Sequence, residues 1–209
     1  MAKEVEVISR ERAYDGFFKM DRYTVRHDIG DGTLSEPITR EVFERGQSAA
    51  ILVYDPSMDA VLTVEEFRIG HLAAGLDGDD CWSLGIVAGS VEPGEEPLLC
   101  VLREAQEEAG LELAAEQIID KVTIFPSPGG TSEMVHLFIA KADLSEVENT
   151  IRSLASEAEY TLPRAMPRQQ AMEEIRRKPA NGYLTTLLFR LEVLAPELRI
   201  TAGNQKVGV

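Results

Sequence analysis

The segment Gly89–Leu111, GSVEPGEEPLLCVLREAQEEAGL, decides the reading of this chain. It sets Glu104, Glu107 and Glu108 three and four residues apart, which on a helix stacks their carboxylates on one face. Like charges so arranged repel, so the pattern calls for a cation, either a metal ion or basic side chains. Arg103 can neutralise one carboxylate, but not Glu95, Glu96, Glu104, Glu107 and Glu108 together. Carboxylate oxygens suit a hard ion, Mg²⁺ or Mn²⁺, rather than Zn²⁺. A solvated acidic helix face is the alternative. Pro93-Gly94 marks a turn, Pro97 fits the first helical turn, and Leu98, Val101, Leu102 and Ala105 form an apolar stripe that ends at the helix stop Gly110.

The spacing of Gly89, Glu95, Arg103, Glu104, Ala105, Glu107, Glu108, Gly110 and Leu111 follows G-x5-E-x7-R-E-U-x-E-E-x-G-U, with U apolar. This is the Nudix box, and the chain resembles the Nudix hydrolases, which cleave nucleoside diphosphates linked to another group. By average residue usage the match arises by chance on the order of once in 10⁷ chains of this length, about ten-fold more often with an acidic bias. The resemblance implies an α/β/α sandwich with a mixed central sheet and a loop-helix-loop at the box.

Composition agrees with a globular enzyme. The 209 residues are 44% hydrophobic and 27% charged, enough for one domain with a real core plus an appended element. A net charge of -15 argues against nucleic acid or an anionic membrane as partner. It also requires metal ions or clustered arginines before an anionic substrate could bind. Cys81 and Cys100 show no metal-ligand spacing and read as small buried side chains. The opening MAKEVEVISRER lacks the apolar stretch of a signal peptide, which points to a cytoplasmic enzyme.

Two regions are expected. Residues 1–44 hold short alternating segments around the DIGDG turn and read as a small antiparallel sheet. Residues 45–209 form the α/β region, with strands at Ser48–Tyr54, Ala60–Arg68, Trp82–Val87, Lys121–Phe125 and Met134–Ala140 and helices at Pro167–Arg177 and Tyr183–Leu194. His71–Asp80 reads as a loop, Asn149–Pro163 has no clean periodicity, and the chain beyond Pro196 reads as loose.

The flanks narrow the resemblance. SPGGTSE (Ser127–Glu133), shortly after the box, is similar to the SPGG-x-x-E segment of the ADP-ribose pyrophosphatase branch, although a Gly-rich turn between strands would explain the glycines alone. YDGFF (Tyr14–Phe18), REVFERG (Arg40–Gly46) and EFR (Glu66–Arg68) resemble that branch's Y-x-G-F-F, R-E-x-x-x-R-G and Q-x-R segments in the same order. That resemblance implies a homodimer that exchanges the N-terminal sheet, so the active sites borrow from both chains. It implies Phe17 as the adenine platform, with a core aromatic as the competing reading. It further implies Arg40 and Arg68 on the diphosphate and ribose, Gly130 and Glu133 at the substrate, and Glu133 accepting ribose hydroxyls. Arginine suits phosphate because its planar fork donates two parallel hydrogen bonds.

For the metal the resemblance implies Glu104 and Glu108 as ligands, Glu107 as a ligand or water contact, and the Ala88 carbonyl as a further donor. Arg103 and Glu95 then form an ion pair that orients the glutamates. Water attack on one phosphorus needs a general base, implied at Glu157, with Glu159 as a metal or water contact. Glu146 and Glu148 stand close enough in sequence to compete for that role. One departure is Gly85, where the branch carries Glu in an E-x-x-A-G strand. The expected reaction is Mg²⁺-dependent hydrolysis of ADP-ribose to AMP and ribose 5-phosphate. The rivals are hydrolysis of another nucleoside diphosphate sugar such as GDP-mannose, or a non-catalytic ADP-ribose-binding regulator. The last predicts eroded box acids and an added basic domain, neither of which the sequence has.

Overall fold

A computed structural model describes residues 2–154 and 159–205. The chain divides into two compact units, Met1–Gln47 with Ile124–Val135, and Ser48–Thr123 with His136–Val209.

In the first unit β1 (Val5–Asp15), β2 (Lys19–His27) and β3 (Ile38–Glu44) form an antiparallel sheet in that order. Asp21 is buried and accepts hydrogen bonds from Arg12 and from Arg10 Nε at 2.8 Å, which hold its carboxyl below the usual range. β1 is exposed along its whole length, and its register shifts between Val7 and Ser9 and between Arg12 and Tyr14. The Ile124–Val135 segment is tied to β3 through Phe43 N to Gly130 O (2.9 Å) and Ser132 N to Phe43 O (3.0 Å).

The second unit carries the larger sheet. Its strands are β4 (Gln47–Asp55), β5 (Ala60–Phe67), β6 (Trp82–Gly85), β7 (Val87–Ser90), β8 (Ile118–Ile124), β9 (Met134–Lys141), β10 (Arg152–Leu154) and β11 (Glu159–Pro167). They run in the order β10-β11-β5-β4-β9-β8, with β6 against β5 and β7 against β4. Helices α1 (Ile69–Ala73), α2 (Pro97–Ala109), α3 (Arg168–Arg177) and α4 (Gly182–Gln205) complete it.

Both sheet faces are covered. Ala49, Ile51 and Val53 pack with Leu62, Val64 and Val87 against Cys100, Val101 and Ala105 of α2. The alternate residues Ala50, Leu52 and Tyr54 point to the other face and are equally buried. The buried Leu184, Leu187, Leu188 and Leu191 of α4 lie outside the α2 cluster. Buried Arg168 at the start of α3 bonds Asp59 at 2.9 Å in the β4–β5 turn and Glu192 on α4, which pins both helices to the sheet. Among the described residues no helix is long and apolar enough to cross a membrane.

The architecture is the α/β arrangement expected, with a small antiparallel sheet and a larger one. Four local expectations differ. Trp82–Val87 is two strands, because Trp82–Gly85 pairs with β5 and Val87–Ser90 with β4. Gly78–Cys81 is a short 3-10 turn and Ile69–Ala73 a helix within the expected loop. β10 and the start of β11 occupy part of the aperiodic stretch, and α4 continues past Pro196 to Gln205.

Candidate active site

The entry to α2 follows from local chemistry. Glu95 N donates to Glu92 O at 3.0 Å across a turn whose third residue, Gly94, has φ 86°. A side chain would strain that conformation, and Pro93 presets the residue before it. Pro97 then occupies the first helical turn, and Gly110 closes the helix at φ 65°. Gly110 N donates to Gln106 O at 2.9 Å and Leu111 N to Ala105 O at 3.0 Å.

The helix buries its apolar stripe and also two acids. Glu104 and Glu108 are each 8% exposed. Gly89 of β7, opposite Ala49, forms the floor under Glu104: a Cβ there would lie 1.8 Å from Glu104 Oε1 and 2.2 Å from its Cδ. Only glycine leaves that space, so the box glycine and the box glutamate fit as a pair.

Arg103 ties the acids together. It bonds Glu95 twice, at 3.2 and 3.3 Å, Glu104 at 2.7 Å and Glu107 at 3.2 Å. Glu95 Oε2 also accepts from Glu92 N at 2.9 Å. The Arg103 hydrogen bond, with that backbone bond, holds Glu95 below the usual carboxylate range. Burial works against the Arg103 charge, but its bonds to Glu95 and the charge of Glu104 outweigh it, and its pKa is raised. Burial and the charges of Glu95 and Glu104 push the Cys100 thiol up to about 12, so it stays protonated at neutral pH. Both cysteines are free and buried.

Arg103 thus pairs with Glu95, Glu104 and Glu107 along one face of α2. Among the described residues no three acid, His or Cys side chains are gathered as a ready ligand set; Arg103 bridges three of the acids instead. The donor chemistry fits a hard divalent ion: carboxylate oxygens from Glu104, Glu107 and Glu108, with the Ala88 carbonyl one residue before the Gly89 floor.

In the first unit the structure gathers another set. Phe17 is 92% exposed at the β1–β2 turn and stands edge-on to Phe18 at 4.8 Å, which meets Phe43 at 5.0 Å. Phe17 is therefore not a core aromatic. Arg45 lies over the Phe18 ring at 4.7 Å and pairs with the largely buried Glu133 at 3.6 Å. Gly130 joins this array through its backbone bond to Phe43. Arg40 does not: it sits on β3 opposite Tyr23, on the other side of the strand from Phe43 by alternation, and donates to Thr39 O at 2.9 Å.

In the second unit Arg68 follows β5, half exposed, and bonds the buried Glu66. Glu159 begins β11 opposite Leu154. Glu157 lies outside the described residues. Glu146 and Glu148 line a cavity of about 240 Å³ with Asp143, Gly110 and Arg152. Arg45 and Glu66 were not assigned from sequence. Each sits inside a segment quoted for the resemblance, but only packing reveals the aromatic rings under one and the ion pair of the other.

Comparison with known proteins defines the class. The NUDIX domain model matches residues 44–187, and the chain belongs to that family. Among its relatives is the ADP-ribose pyrophosphatase of Escherichia coli (strain K12), 38% identical over 170 residues, or 81% of this chain and 78% of that protein. The ADP-ribose pyrophosphatase of Haemophilus influenzae is 33% identical over 171 residues, covering 82% and 77%. The GDP-mannose pyrophosphatase of Cronobacter sakazakii is 30% identical over 191 residues, covering 91% and 95%.

Proposed function

We propose that this Nudix pyrophosphohydrolase cleaves the diphosphate of ADP-ribose to AMP and ribose 5-phosphate. The observation that carries the reading is the pair of buried carboxylates, Glu104 and Glu108, with Glu104 seated on Gly89. Burying a carboxylate costs free energy that a cation offsets, and a divalent ion would join Arg103 in that task. The two ADP-ribose pyrophosphatases at 33% and 38% identity support the substrate.

Glu104, Glu108, Glu107 and the Ala88 carbonyl would hold Mg²⁺, with Mn²⁺ able to substitute. When bound, the ion neutralises the phosphoryl oxygens and polarises phosphorus toward attack. The remaining tasks fall to the chain. Arg103 and Glu95 fix the direction of the acids, Arg68 and Arg40 hold the diphosphate and ribose, and Phe17 stacks on the adenine. Gly130 and Glu133 border the ribose. Glu157 takes the proton of the attacking water, with Glu159 contacting water or metal. The acting form is a homodimer, with residues 1–44 exchanged between chains, and the site of action is the cytoplasm.

A second reading, GDP-mannose as substrate, is favoured by the Cronobacter relative, whose similarity covers 91% of this chain. Metal dependence tests the shared core of both. Hydrolysis of ADP-ribose should vanish in EDTA and return with Mg²⁺ or Mn²⁺, and Glu108→Gln should lower turnover by orders of magnitude in a folded protein. Full activity in chelator would remove the metal from the reaction.

A further inference from the structure

Gly85 brings β6 close to Glu66. A Cβ built there would lie 3.6 Å from Glu66 Oε1, 3.5 Å from Asn181 Nδ2 and 3.8 Å from Val64 O, ordinary van der Waals contact distances. All three neighbouring atoms are polar. Ser83, across the strand pair from Glu66, is 3% exposed, and its Oγ has no hydrogen-bond partner among the described residues. Asn181 spends its Oδ1 on Tyr183 N and Leu184 N at the start of α4, leaving the amide nitrogen nearest position 85.

Glu66 borders position 85. Leu62 and Val64 face α2, and alternation continues that face to Glu66. Its carboxylate is buried and bonds Arg68 Nη2, while the Arg68 side chain is 39% exposed. Such a pair has one fixed and one accessible end. The strand immobilises the carboxylate, the carboxylate immobilises the guanidinium, and other N–H groups of its planar fork remain at the surface to meet an anion.

We propose that Glu66 is a positioning residue for Arg68, supplying from β5 the carboxylate that β6 lacks at Gly85 and aiming the guanidinium at the diphosphate of the substrate. The inference rests on the reading that Arg68 binds the diphosphate. An ion pair that merely stabilised the sheet would make a different prediction: its loss would lower the melting temperature and leave KM alone.

The test is steady-state hydrolysis of ADP-ribose with Mg²⁺ by Glu66→Gln, Arg68→Ala, the two combined, and Glu66→Gln with Gly85→Glu. The backbone at Gly85 lies outside the left-handed region, so a glutamate can be placed there. Glu66→Gln should raise KM about ten-fold with kcat within about two-fold, as loss of an orienting partner does. Arg68→Ala should raise KM at least as much, and adding Glu66→Gln to it should change nothing further. Gly85→Glu should return KM of Glu66→Gln to within about three-fold of wild type, since it brings a carboxylate to β6 beside residue 66. If Arg68→Ala raises KM and Glu66→Gln does not, or if the two effects multiply, the positioning role is wrong while Arg68 still binds substrate. Failure of Gly85→Glu to restore KM also overturns it. If Arg68→Ala keeps the wild-type KM, the diphosphate reading of Arg68 is itself wrong and the proposal falls with it.

Discussion

Glu157 and Glu159 are two residues apart, and their roles separate by chemistry rather than by position. If Glu157 abstracts the proton from the attacking water, Glu157→Gln should lower kcat by about 10²–10⁴, the usual worth of a general base, without weakening Mg²⁺ binding. Loss of a metal contact should instead be offset by added Mg²⁺, and Glu159→Gln should behave that way. Titrating both variants with Mg²⁺ checks the assignment; near-normal turnover in Glu157→Gln would reject it and leave Glu159, Glu146 and Glu148 as candidates. At this scale the sequence was most legible where spacing is fixed by a helix. Glu104, Glu108 and Arg103 could be placed because three- and four-residue steps allow one geometry. It was least legible where a side chain's meaning comes from elsewhere in the chain. Arg45 over Phe18 and Phe43 is visible only once β3 has paired, and Glu66 only once Gly85 lies beside it.

At the scale of elements, the junction of β7 and α2 makes the sharpest demand. Gly89→Ala puts a methyl group where Glu104 now rests, and the atoms in its way are the carboxyl end of a flexible side chain, not backbone. Overpacking of this kind costs on the order of 1–3 kcal/mol if the core must absorb it, but here Glu104 can swing aside. The variant should therefore keep its circular dichroism spectrum while hydrolysis falls at least about ten-fold through lost orientation of Glu104. Wild-type turnover would show that the Gly89 floor is dispensable. The strands and helices themselves were largely readable from alternation and turn residues. The split of Trp82–Val87 was not, because a period of two shows which face a residue takes but not which neighbour its strand joins. The extent of α4 is hidden in the sequence for a related reason. Pro196 removes one backbone donor, which the pattern treats as a stop, yet the helix continues through it to Gln205.

For the whole molecule, β1 raises the question of assembly. It is an eleven-residue strand exposed throughout, with Val5, Val7 and Tyr14 each more than half exposed. A strand edge of that length with apolar side chains is a surface that another chain can cover. Sedimentation at working concentration should give a dimer, and removal of residues 1–44 should abolish both the dimer and the activity; an active monomeric truncation would contradict the exchange of that sheet. The substrate is tested by one comparison, kcat/KM for ADP-ribose and for GDP-mannose, with Mg²⁺ and with the products separated and identified. ADP-ribose hydrolysis as the activity of this chain requires that ADP-ribose be preferred and that it give AMP and ribose 5-phosphate in equal amounts. Preference for GDP-mannose, or intact ADP-ribose after prolonged incubation with active protein, would contradict it.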